Sequence, residues 1–248
     1  DKGNFTAAEA TIFETGSNKW TSYSSWPPQN IQYKTFYLGA GSQLKETSGE
    51  GKDDYISDPA KPVPYTNGIF GSRNNDYMAE DQRFAAMRPD VLVYESAVLT
   101  EDLSLAGPIT AALDVAISST DADFIVKLID VLPDNEPNFK NAPRGFQMAG
   151  YQRLVRAEVM RGKFRNSLEK PEPFEPGKKT TVQFMLNDVA HSFKKGHKIM
   201  IQVQSSWFPL TDRNPQKFMR IPEAVETDYQ KAEIRVFHSS RIVLPVKL

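Results

Sequence analysis

The stretch from Val203 to Pro215 reads VQSSWFPLTDRNP and places the end of an alternating strand, two large aromatic side chains and a charged turn next to one another. A strand that ends in this way can present Trp207 and Phe208 to a ligand or to another domain. The run contains no recognisable nucleophile, general base or metal-ligand cluster. Its chemistry is therefore positioning, unless a catalytic partner lies outside this chain.

The charged turn of this stretch is formed by Asp212, Arg213 and Asn214. Asp and Asn are short polar residues that fix turns through hydrogen bonds to the local backbone. We interpret the whole stretch as an interdomain seam in preference to a ligand pocket. An isolated chain is then expected to expose an apolar patch where another domain packs.

Catalytic patterns of the serine-hydrolase type are missing from the sequence. An α/β-hydrolase exposes its nucleophile in a G-x-S-x-G turn, and no such pentad occurs. Of the 3 histidines, His191 and His197 are separated by a loop-like segment, which is not the i, i+4 spacing of a helical zinc pair. We interpret these two and His238 as structural histidines.

The carboxylate pairs all fall at predicted turns, where Asp caps local backbone groups. These pairs are Asp53–Asp54, Asp121–Asp123 and Asp130–Asp134. The twelve-residue calcium-loop signature is absent, and the glycine-rich SGEGK at 48–52 lacks the P-loop spacing. We therefore expect neither a metal nor a cofactor.

Composition narrows the class of protein. The chain has 248 residues, 40% of them hydrophobic, and a formal net charge of -1. This balance predicts a globular domain and gives no electrostatic reason to expect nucleic acid or an anionic membrane as partner. Zero cysteines exclude disulfides and cysteine nucleophiles. No signal-peptide pattern or apolar run of roughly 18 residues occurs, and the start without methionine predicts a piece of a longer protein.

Alternating apolar residues predict strands along most of the chain. The face formed by Ile109, Ala111, Leu113, Val115 and Ile117 predicts a half-buried strand, and residues 124–131 repeat the pattern after the polar SSTDAD. We expect these two strands to pair with each other through a short turn. Further strands are predicted near residues 9–14, 33–38, 91–94, 182–186, 199–203, 234–236 and 242–246. Residues 148–160 favour a strand, although a helical period fits them almost as well.

About eight to ten strands without a long amphipathic helix predict an all-β antiparallel sandwich, with the jelly roll as its natural closure. We expect residues 1–248 to form a single domain with long loops. The segment NDVAHSFKKGH is predicted to link two strands, with Gly196 at its turn.

Residues 39–81 are rich in Gly, Ser, Asp, Asn and Pro, which predicts one long loop. Its prolines in DPAKPVPY favour a stiff, extended path. Ile69 and Phe70 lie between glycines; they either tuck under the loop or are presented to a pocket or partner. The basic run RGKFRNS at 161–167 is compatible with phosphate binding, but we favour a solvated strand edge paired with acids.

Three aromatic residues, Trp20, Tyr23 and Trp26, follow one another closely before Pro27–Pro28. We interpret them as a cluster that packs a loop onto the sheet or a neighbouring domain. The alternative is a ligand platform. A carbohydrate-binding module is the corresponding rival function, with Trp20, Trp26 and Trp207 as its candidate stacking residues.

Several long motifs occurring in one order resemble a known family. The motifs TDADFIVKLIDVLPD, LNDVAHSFKKGHKIMIQVQSSWFP and SSRIVLPV resemble the C-terminal domain of X-Pro dipeptidyl-peptidases and cocaine esterases. The motifs ETGSNKW, WPP, DPAKPVPY, RGKFRNSLEKPEPF and QSSWFPLTDRNPQ are similar to the branch of α-amino acid ester hydrolases and glutaryl-type cephalosporin acylases. The similarity covers nearly the whole chain.

This resemblance implies a galactose-binding-like jelly roll that follows an α/β-hydrolase domain with a helical cap. It places the catalytic triad in that preceding domain, so no catalytic residue carries over to this chain. It also implies that the loop carrying Ile69 and Phe70 approaches the active-site mouth. The missing hydrolase domain is the expected partner, a homo-oligomer is an open alternative, and a periplasmic or secreted location is favoured over the cytoplasm.

Overall fold

A computed structural model of the protein describes residues 6–68 and 74–248, and strands dominate this part of the chain. The strands are β1 (Ala10–Glu14), β2 (Lys19–Tyr23), β3 (Ile31–Gly39), β4 (Gln43–Lys45), β5 (Lys52–Ser57), β6 (Val91–Glu95), β7 (Leu103–Ile117), β8 (Asp123–Val131), β9 (Gln152–Arg161), β10 (Thr180–Phe193), β11 (Lys198–Gln204), β12 (Ala232–Phe237) and β13 (Arg241–Lys247). One short α-helix, α1 (Arg83–Ala86), and 3-10 turns at Asp76–Met78, Gly162–Phe164, Ile221–Glu223 and Glu226–Asp228 lie between them. None of the helices within the described ranges is long and apolar enough to cross a membrane.

The long strand β7 is the centre of the first layer of the sandwich. It pairs antiparallel with β10 along one edge and with β12 and β13 along the other. Outside these, β5 pairs with β12, and β3 pairs with β13. The second layer runs in the order β6–β11–β8–β9, and β4 connects the layers by pairing with both β3 and β6.

The core lies between the two layers and is formed by the alternating apolar positions of the strands. Ile109 and Leu113 of β7 share one buried cluster with Phe124 and Leu128 of β8 and Ile201 of β11. All five side chains are completely buried or nearly so. The predicted all-β sandwich is therefore confirmed, and the periodicity of β7 identified its core-facing side.

The predicted pairing of β7 with β8 is wrong. These strands lie in opposite layers, and β8 pairs with β9 and β11. The polar segment between them crosses from one layer to the other instead of closing a hairpin. Its Asp121 is buried, and one carboxylate oxygen accepts hydrogen bonds from the backbone N–H groups of Ala122 and Lys163, both at 3.0 Å.

The strand β8 is buried on both faces, unlike the half-buried strand that its alternation predicts. One face packs into the sandwich core. The other face, with Ile125, Lys127 and Ile129, lies under loops that cover the second layer. The alternation in the sequence predicts that this outer face of β8 is exposed, but the loops cover it.

The prediction of one uninterrupted loop over residues 39–81 is also wrong, because this range contains β4 and β5. The sequence of β5, KDDYIS, is mostly polar, and its buried members are Tyr55 and Ser57. Tyr55 lies opposite Ile234 of β12, far away in the sequence. A long-range partner thus stabilises a strand whose local sequence gives little signal.

The link predicted as NDVAHSFKKGH is mostly strand. β10 continues to Phe193 through an irregularity between Leu186 and Val189, which displaces Asn187 and Asp188 from the regular register. Such a bulge keeps a strand going while it re-aims side chains. The predicted turn at Gly196 is present, with a φ of +90°.

The basic run 161–167 differs from the predicted solvated edge at Lys163. This side chain is buried; its Nζ donates to the carbonyl of Met219 at 2.7 Å and lies 3.8 Å from the Asp121 carboxylate. Arg161 does pair with acids, as expected, because its guanidinium contacts Asp123 and Asp212. The run therefore ties β9 to the loops around it.

Candidate functional site

The outer face of β8 and β11 is covered by three segments, 58–68, 74–90 and 205–215, which we call the loop platform. The first and third segments are joined by hydrogen bonds from Tyr65 N to Phe208 O and from Phe208 N to Val63 O, both at 2.9 Å. These bonds give two irregular segments the pairing of a short ladder, and Pro64 and Phe208 form an isolated parallel bridge. The platform is thus held by backbone pairing as well as by side-chain burial.

Trp207 is the apolar anchor of the loop platform. Only 5% of its surface is exposed, and it packs in one cluster with Tyr65 and Ile125. The ring of Tyr77 meets it edge-on, with 5.7 Å between centroids. Because this chain itself covers the indole, Trp207 is not on the described surface, and the role as an exposed sugar-stacking residue is wrong for it.

Phe208 has the opposite environment from its neighbour. Its side chain is 39% exposed, and its backbone is engaged on both sides by the pairing with Val63 and Tyr65. A ring that is exposed on a fixed backbone is suited to contact another molecule or domain. Of the two aromatic candidates from the sequence, Phe208 is the one that the structure leaves available.

The charged turn after Phe208 is anchored to the body of the sandwich. The Asn214 amide donates to Asp121 at 3.2 Å and to Asp123 at 2.8 Å, and its Oδ1 accepts the backbone N–H of Gln216 at 2.7 Å. Asp212 pairs with Arg161. The predicted local turn bond is present at Asn214, and the long-range bonds to two buried carboxylates add a tether that the sequence did not indicate.

Arg213 connects the same turn to two other loops. Its Nη1 donates to the carbonyl of Pro59 at 3.3 Å, and Nη2 lies 3.6 Å from the Glu226 carboxylate. The guanidinium also stacks over Tyr229, with 4.5 Å to the ring centroid. In the described structure Arg213 therefore holds the platform edge in place.

Ile69 and Phe70 lie outside the described residues, but the two sides of the chain that lead to them are fixed. Oε2 of Glu80 accepts the Thr66 hydroxyl at 2.6 Å and the Asn67 N–H at 2.9 Å. On the other side, the Asn74 N–H donates to the Tyr65 hydroxyl at 2.6 Å. We call these three hydrogen bonds the loop stem.

A buried lysine lies beneath the loop platform. Lys127 of β8 is completely buried; its Nζ donates to Oε1 of Gln82 at 3.0 Å and lies 5.2 Å from the ring centre of Trp207. Burial lowers the pKa of Lys127 to about 7, against a smaller opposing effect of the Glu80 carboxylate. The amine is thus poised to lose its proton near neutral pH.

Sequence reasoning missed Lys127 and its partners. The available signal was a lysine in the middle of FIVKLIDV, where every neighbour is apolar. On its cross-strand partner β11, Gln202 lies directly opposite and is also completely buried. Two long polar side chains facing each other on a buried sheet indicate a polar interior that the loops must cover.

Each of the three histidines is hydrogen-bonded within the described part of the chain, and Asp130 is not at the predicted turn. Asp130 is buried within β8, 2.7 Å from Nδ1 of His197 and 3.4 Å from Nε2 of His191. Burial acts to raise the pKa of Asp130, but the two neighbouring imidazoles outweigh it and hold this pKa below its ordinary value. Nδ1 of His191 contacts the Thr15 hydroxyl at 2.8 Å, and His238 contacts Asp53 at 3.1 Å.

Three further members of the carboxylate pairs also depart from the predicted turn positions, whereas Asp121 and Asp134 lie outside the strands as predicted. Asp53 and Asp54 lie within β5, and Asp123 is the first residue of β8. Burial raises the pKa of Asp123 to about 6, against the lowering effects of Arg161 and Asn214. Within residues 6–68 and 74–248 there is no group of three His, Cys, Asp or Glu side chains arranged to hold a metal ion.

Comparison with known proteins identifies the family of this chain. Residues 6–233 match the family model of the X-Pro dipeptidyl-peptidase C-terminal non-catalytic domain. Cocaine esterase of Rhodococcus sp. (strain MB1 Bresler) is 32% identical over 95% of this chain and 41% of its own length. The chain therefore spans about two fifths of that relative.

Solved structures show the same relationship. An α-amino acid ester hydrolase structure superposes with a TM-score of 0.88 at 38% identity, over 95% of this chain and 40% of the other. An aminopeptidase structure from a marine sediment Thaumarchaeota archaeon gives a TM-score of 0.89 at 37% identity, over 97% of this chain and 41% of the other. On the sequence match and these structures together, the chain belongs to the family of X-Pro dipeptidyl-peptidase C-terminal non-catalytic domains.

Proposed function

We propose that this chain is the C-terminal β-sandwich of a serine hydrolase that cleaves esters or amides of small acyl or aminoacyl substrates. The observation that carries the proposal is the match to a non-catalytic domain over residues 6–233, together with relatives named as an esterase, an ester hydrolase and an aminopeptidase. The chain packs on the catalytic domain of the parent and shapes the entrance to its active site.

The contacts of the histidines in this chain support the proposal that the catalytic residues belong to another domain of the parent. In the described residues the histidines contact Thr15, Asp130, Asp53 and a backbone carbonyl, and none is hydrogen-bonded to a serine hydroxyl. Hydrolysis through an acyl-enzyme needs a serine activated by a histidine base. The parent's preceding domain supplies that pair, and this chain supplies binding surface.

The loop platform is the part of this chain that we place at the substrate entrance. The stem formed by Glu80 and Tyr65 fixes both approaches to Ile69 and Phe70, and Phe208 offers an exposed ring on a neighbouring, backbone-paired segment. Apolar side chains beside a pocket allow discrimination by acyl-group size, at about 1–3 kcal/mol per methylene.

An activity assay of the purified parent protein tests the catalytic part of this proposal. Purified parent should hydrolyse a chromogenic ester and an amino acid ester, and replacement of its G-x-S-x-G serine by alanine should abolish turnover. A parent without such a pentad upstream of this chain, or without turnover of either ester, would contradict the proposed activity.

The entrance role needs a separate test in the same parent. Ile69→Ala with Phe70→Ala should change the ratio of kcat/KM between bulky and small acyl groups. Met87→Ala is the matched control, because Met87 is 81% exposed elsewhere in the platform segments. Unchanged selectivity in the double variant would contradict the entrance role while leaving the catalytic proposal intact.

A further inference from the structure

Asn67 and Gly68 form the one Asn–Gly pair of the sequence, and both residues are exposed at the end of the loop stem. The backbone nitrogen that follows an asparagine can attack the side-chain carbonyl of that asparagine, because the attack closes a small, unstrained ring. Glycine favours this reaction, since it has no Cβ to obstruct the approach and adopts more backbone conformations than other residues. The pair therefore has the residue types that spontaneous covalent modification requires.

The side-chain amide of Asn67 is available for this reaction. Asn67 is exposed, whereas its neighbour Thr66 is buried. In the described part of the chain, Asn67 is hydrogen-bonded through its backbone N–H, which donates to Glu80, and not through its side chain. By contrast, hydrogen bonds hold both polar ends of the side chains of Asn138 and Asn214. A side chain held at both ends cannot turn toward the nitrogen of the next residue.

The attacking nitrogen belongs to a short turn on the surface. The N–H of Gly68 donates to the carbonyl oxygen of Thr66 at 2.9 Å. This bond must break before the nitrogen reaches the side chain of Asn67. Because Asn67 and Gly68 are both exposed, water replaces the lost hydrogen bond, and such a turn opens locally without unfolding of the sandwich.

The reaction balances with water as its only co-reactant. The Gly68 nitrogen bonds to Cγ of Asn67, its proton passes to the departing amide nitrogen, and ammonia leaves. Water then opens the cyclic imide at either of its two carbonyls. Opening at the side-chain carbonyl gives aspartate, whereas opening at the backbone carbonyl gives isoaspartate, in which the main chain runs through Cβ. No group is oxidised or reduced.

Both products place a negative charge beside Glu80. Oε2 of Glu80 accepts the Asn67 N–H at 2.9 Å and the Thr66 hydroxyl at 2.6 Å. The new carboxylate is attached to the same residue whose N–H Glu80 accepts, so the two carboxylates repel each other at short range. The charge therefore weakens the side of the loop stem that Glu80 holds.

Isoaspartate adds a second disturbance to the charge. It inserts one methylene group into the main chain between the nitrogen of Asn67 and that of Gly68. The hydrogen bond from Gly68 to the Thr66 carbonyl then spans a larger ring than the turn of the unmodified chain. The geometry of the stem cannot be kept on both sides of the inserted group.

We infer that Asn67–Gly68 is a self-modification site, at which conversion to isoaspartate or aspartate releases the loop stem. The conversion and the release of the stem require only residues of this chain. The consequence for substrate choice rests on the proposed function, which places the loop beyond this stem at the entrance to the active site.

Peptide mapping of the purified parent protein by mass spectrometry, after incubation at mildly alkaline pH, tests the conversion. Asn141 is the reference residue, because it is also exposed and is followed by Ala142, which has the Cβ that Gly68 lacks. We expect conversion at Asn67 to be several-fold faster than at Asn141. Enzymatic methylation of isoaspartate should label the peptide that contains Asn67.

Two exposed-site variants separate the chemistry from its effect on the stem. Asn67→Gln keeps a neutral amide but forms the larger ring slowly, so incubation should leave it unmodified. Asn67→Asp carries the charge without the additional methylene. Hydrogen exchange in the peptide that contains Thr66 should be faster in incubated wild type than in incubated Asn67→Gln, with Asn67→Asp between the two.

Two results would overturn the inference. The first is conversion at Asn67 that is absent or no faster than conversion at Asn141, because the exposed Asn–Gly pair would then have no special reactivity. The second is conversion at Asn67 with unchanged hydrogen exchange at Thr66, because the stem would then tolerate both the charge and the inserted methylene.

Kinetics of the same preparations distinguish this inference from the proposed function. The ratio of kcat/KM between bulky and small acyl groups should change during incubation of the wild-type parent and stay constant in Asn67→Gln. Conversion with a released stem and a constant ratio contradicts the entrance role, and conversion in a parent without ester turnover contradicts the proposed activity. In both cases the self-modification site is supported.

Discussion

The Nζ atom of Lys127 lies 3.0 Å from Oε1 of Gln82, and both side chains are completely buried under the loop platform. Gln82 in turn donates its Nε2 to the Glu80 carbonyl at 3.0 Å. Glu80 holds Thr66 and Asn67 at the loop stem. A short chain of hydrogen bonds therefore connects a titratable amine inside the sheet to the base of the loop that we place at the substrate entrance.

The stability of the protein should depend on the protonation of Lys127. Its pKa of about 7 in the folded state lies below the ordinary 10.5, so the unfolded chain binds this proton more tightly. Stability from this group therefore rises as pH increases from about 7 to 10.5 and is lowest below pH 7. Lys127→Met should remove this slope, which amounts to several kcal/mol by the order-of-magnitude relation between pKa and free energy.

The measurement is the free energy of unfolding between pH 6 and pH 10. Lys127→Met leaves Oε1 of Gln82 without its donor, which costs about 1–3 kcal/mol at every pH, so only the slope is diagnostic. Lys178→Met is the control, because that lysine lies on the surface and pairs with Glu175. Parallel pH profiles for wild type and Lys127→Met would contradict the prediction.

Asp123 should give a pH dependence of opposite sign. Burial raises its folded-state pKa to about 6 from the ordinary 3.8, so the folded state binds the proton more tightly. Stability from this group therefore increases as pH falls from above 6 to below 4. Asp123→Asn keeps an oxygen for the Asn214 amide. The free energy of unfolding of this variant, relative to that of wild type, should be higher at pH 8 than at pH 4 by roughly 3 kcal/mol.

Urea unfolding at the two pH values checks this difference. Asp212→Asn is the matched control, since Asp212 pairs with the same guanidinium of Arg161 but is exposed. In the control variant, the free energy of unfolding relative to wild type should not be higher at pH 8 than at pH 4. A gain of equal size in both variants would assign the effect to Arg161 and not to the buried carboxylate.

Glu80 should control the opening of the loop stem. Its Oε2 accepts two hydrogen bonds, from Thr66 and Asn67, and Glu80→Ala removes both. Hydrogen exchange at the Asn67 amide should accelerate roughly ten- to hundredfold, equivalent to about 1–3 kcal/mol. Glu80→Gln keeps an acceptor oxygen and should fall between wild type and alanine. Exchange at Asn67 that is unchanged in Glu80→Ala would contradict the role of the stem.

Much of the fold could be predicted because long strands carry their own periodicity. The face of β7 from Ile109 to Ile117 was recognisable from alternation alone. The pairing of β7 with β8 was wrong because SSTDAD looks like a hairpin turn, and the burial of Asp121 that makes it a crossing segment is a tertiary property. The strand β5 was missed because its stabilising partner β12 is distant in the sequence.

Of the candidate site, the sequence predicted only the exposed aromatic residue Phe208 and the local turn at Asn214. Phe208 was singled out by its type and position, and the structure leaves it exposed. The environments of Lys127 and Trp207 depend on which loops cover the second layer, and no local pattern encodes that. The residue type of Asn214 predicted its local hydrogen bond in the turn, to Gln216. It did not predict the hydrogen bond to Asp123, because that residue is far away in the chain.

Replacement of Gly16, in the turn between β1 and β2, should destabilise the protein more than replacement of a glycine in an open turn. Gly16 combines a φ of +81° with a Cβ position 2.0 Å from Ser192 O, so Gly16→Ala forces the turn away from β10. The move breaks the backbone hydrogen bonds of Thr15 to Ala190 and Ser192 and so loosens the contact of the β1–β2 hairpin with β10.

The matched control for Gly16 is Gly41→Ala. Gly41 has a φ of +74° with nothing within 4 Å of its Cβ position, so it reports the backbone strain alone. That strain costs about 1–2 kcal/mol for an L-residue in the left-handed region, whereas Gly16→Ala should lose clearly more in thermal unfolding. Equal losses in the two variants would show that the approach to Ser192 relaxes without effect, and the hairpin would then be held by the ion pair of Glu14 with Lys247 instead of by its turn.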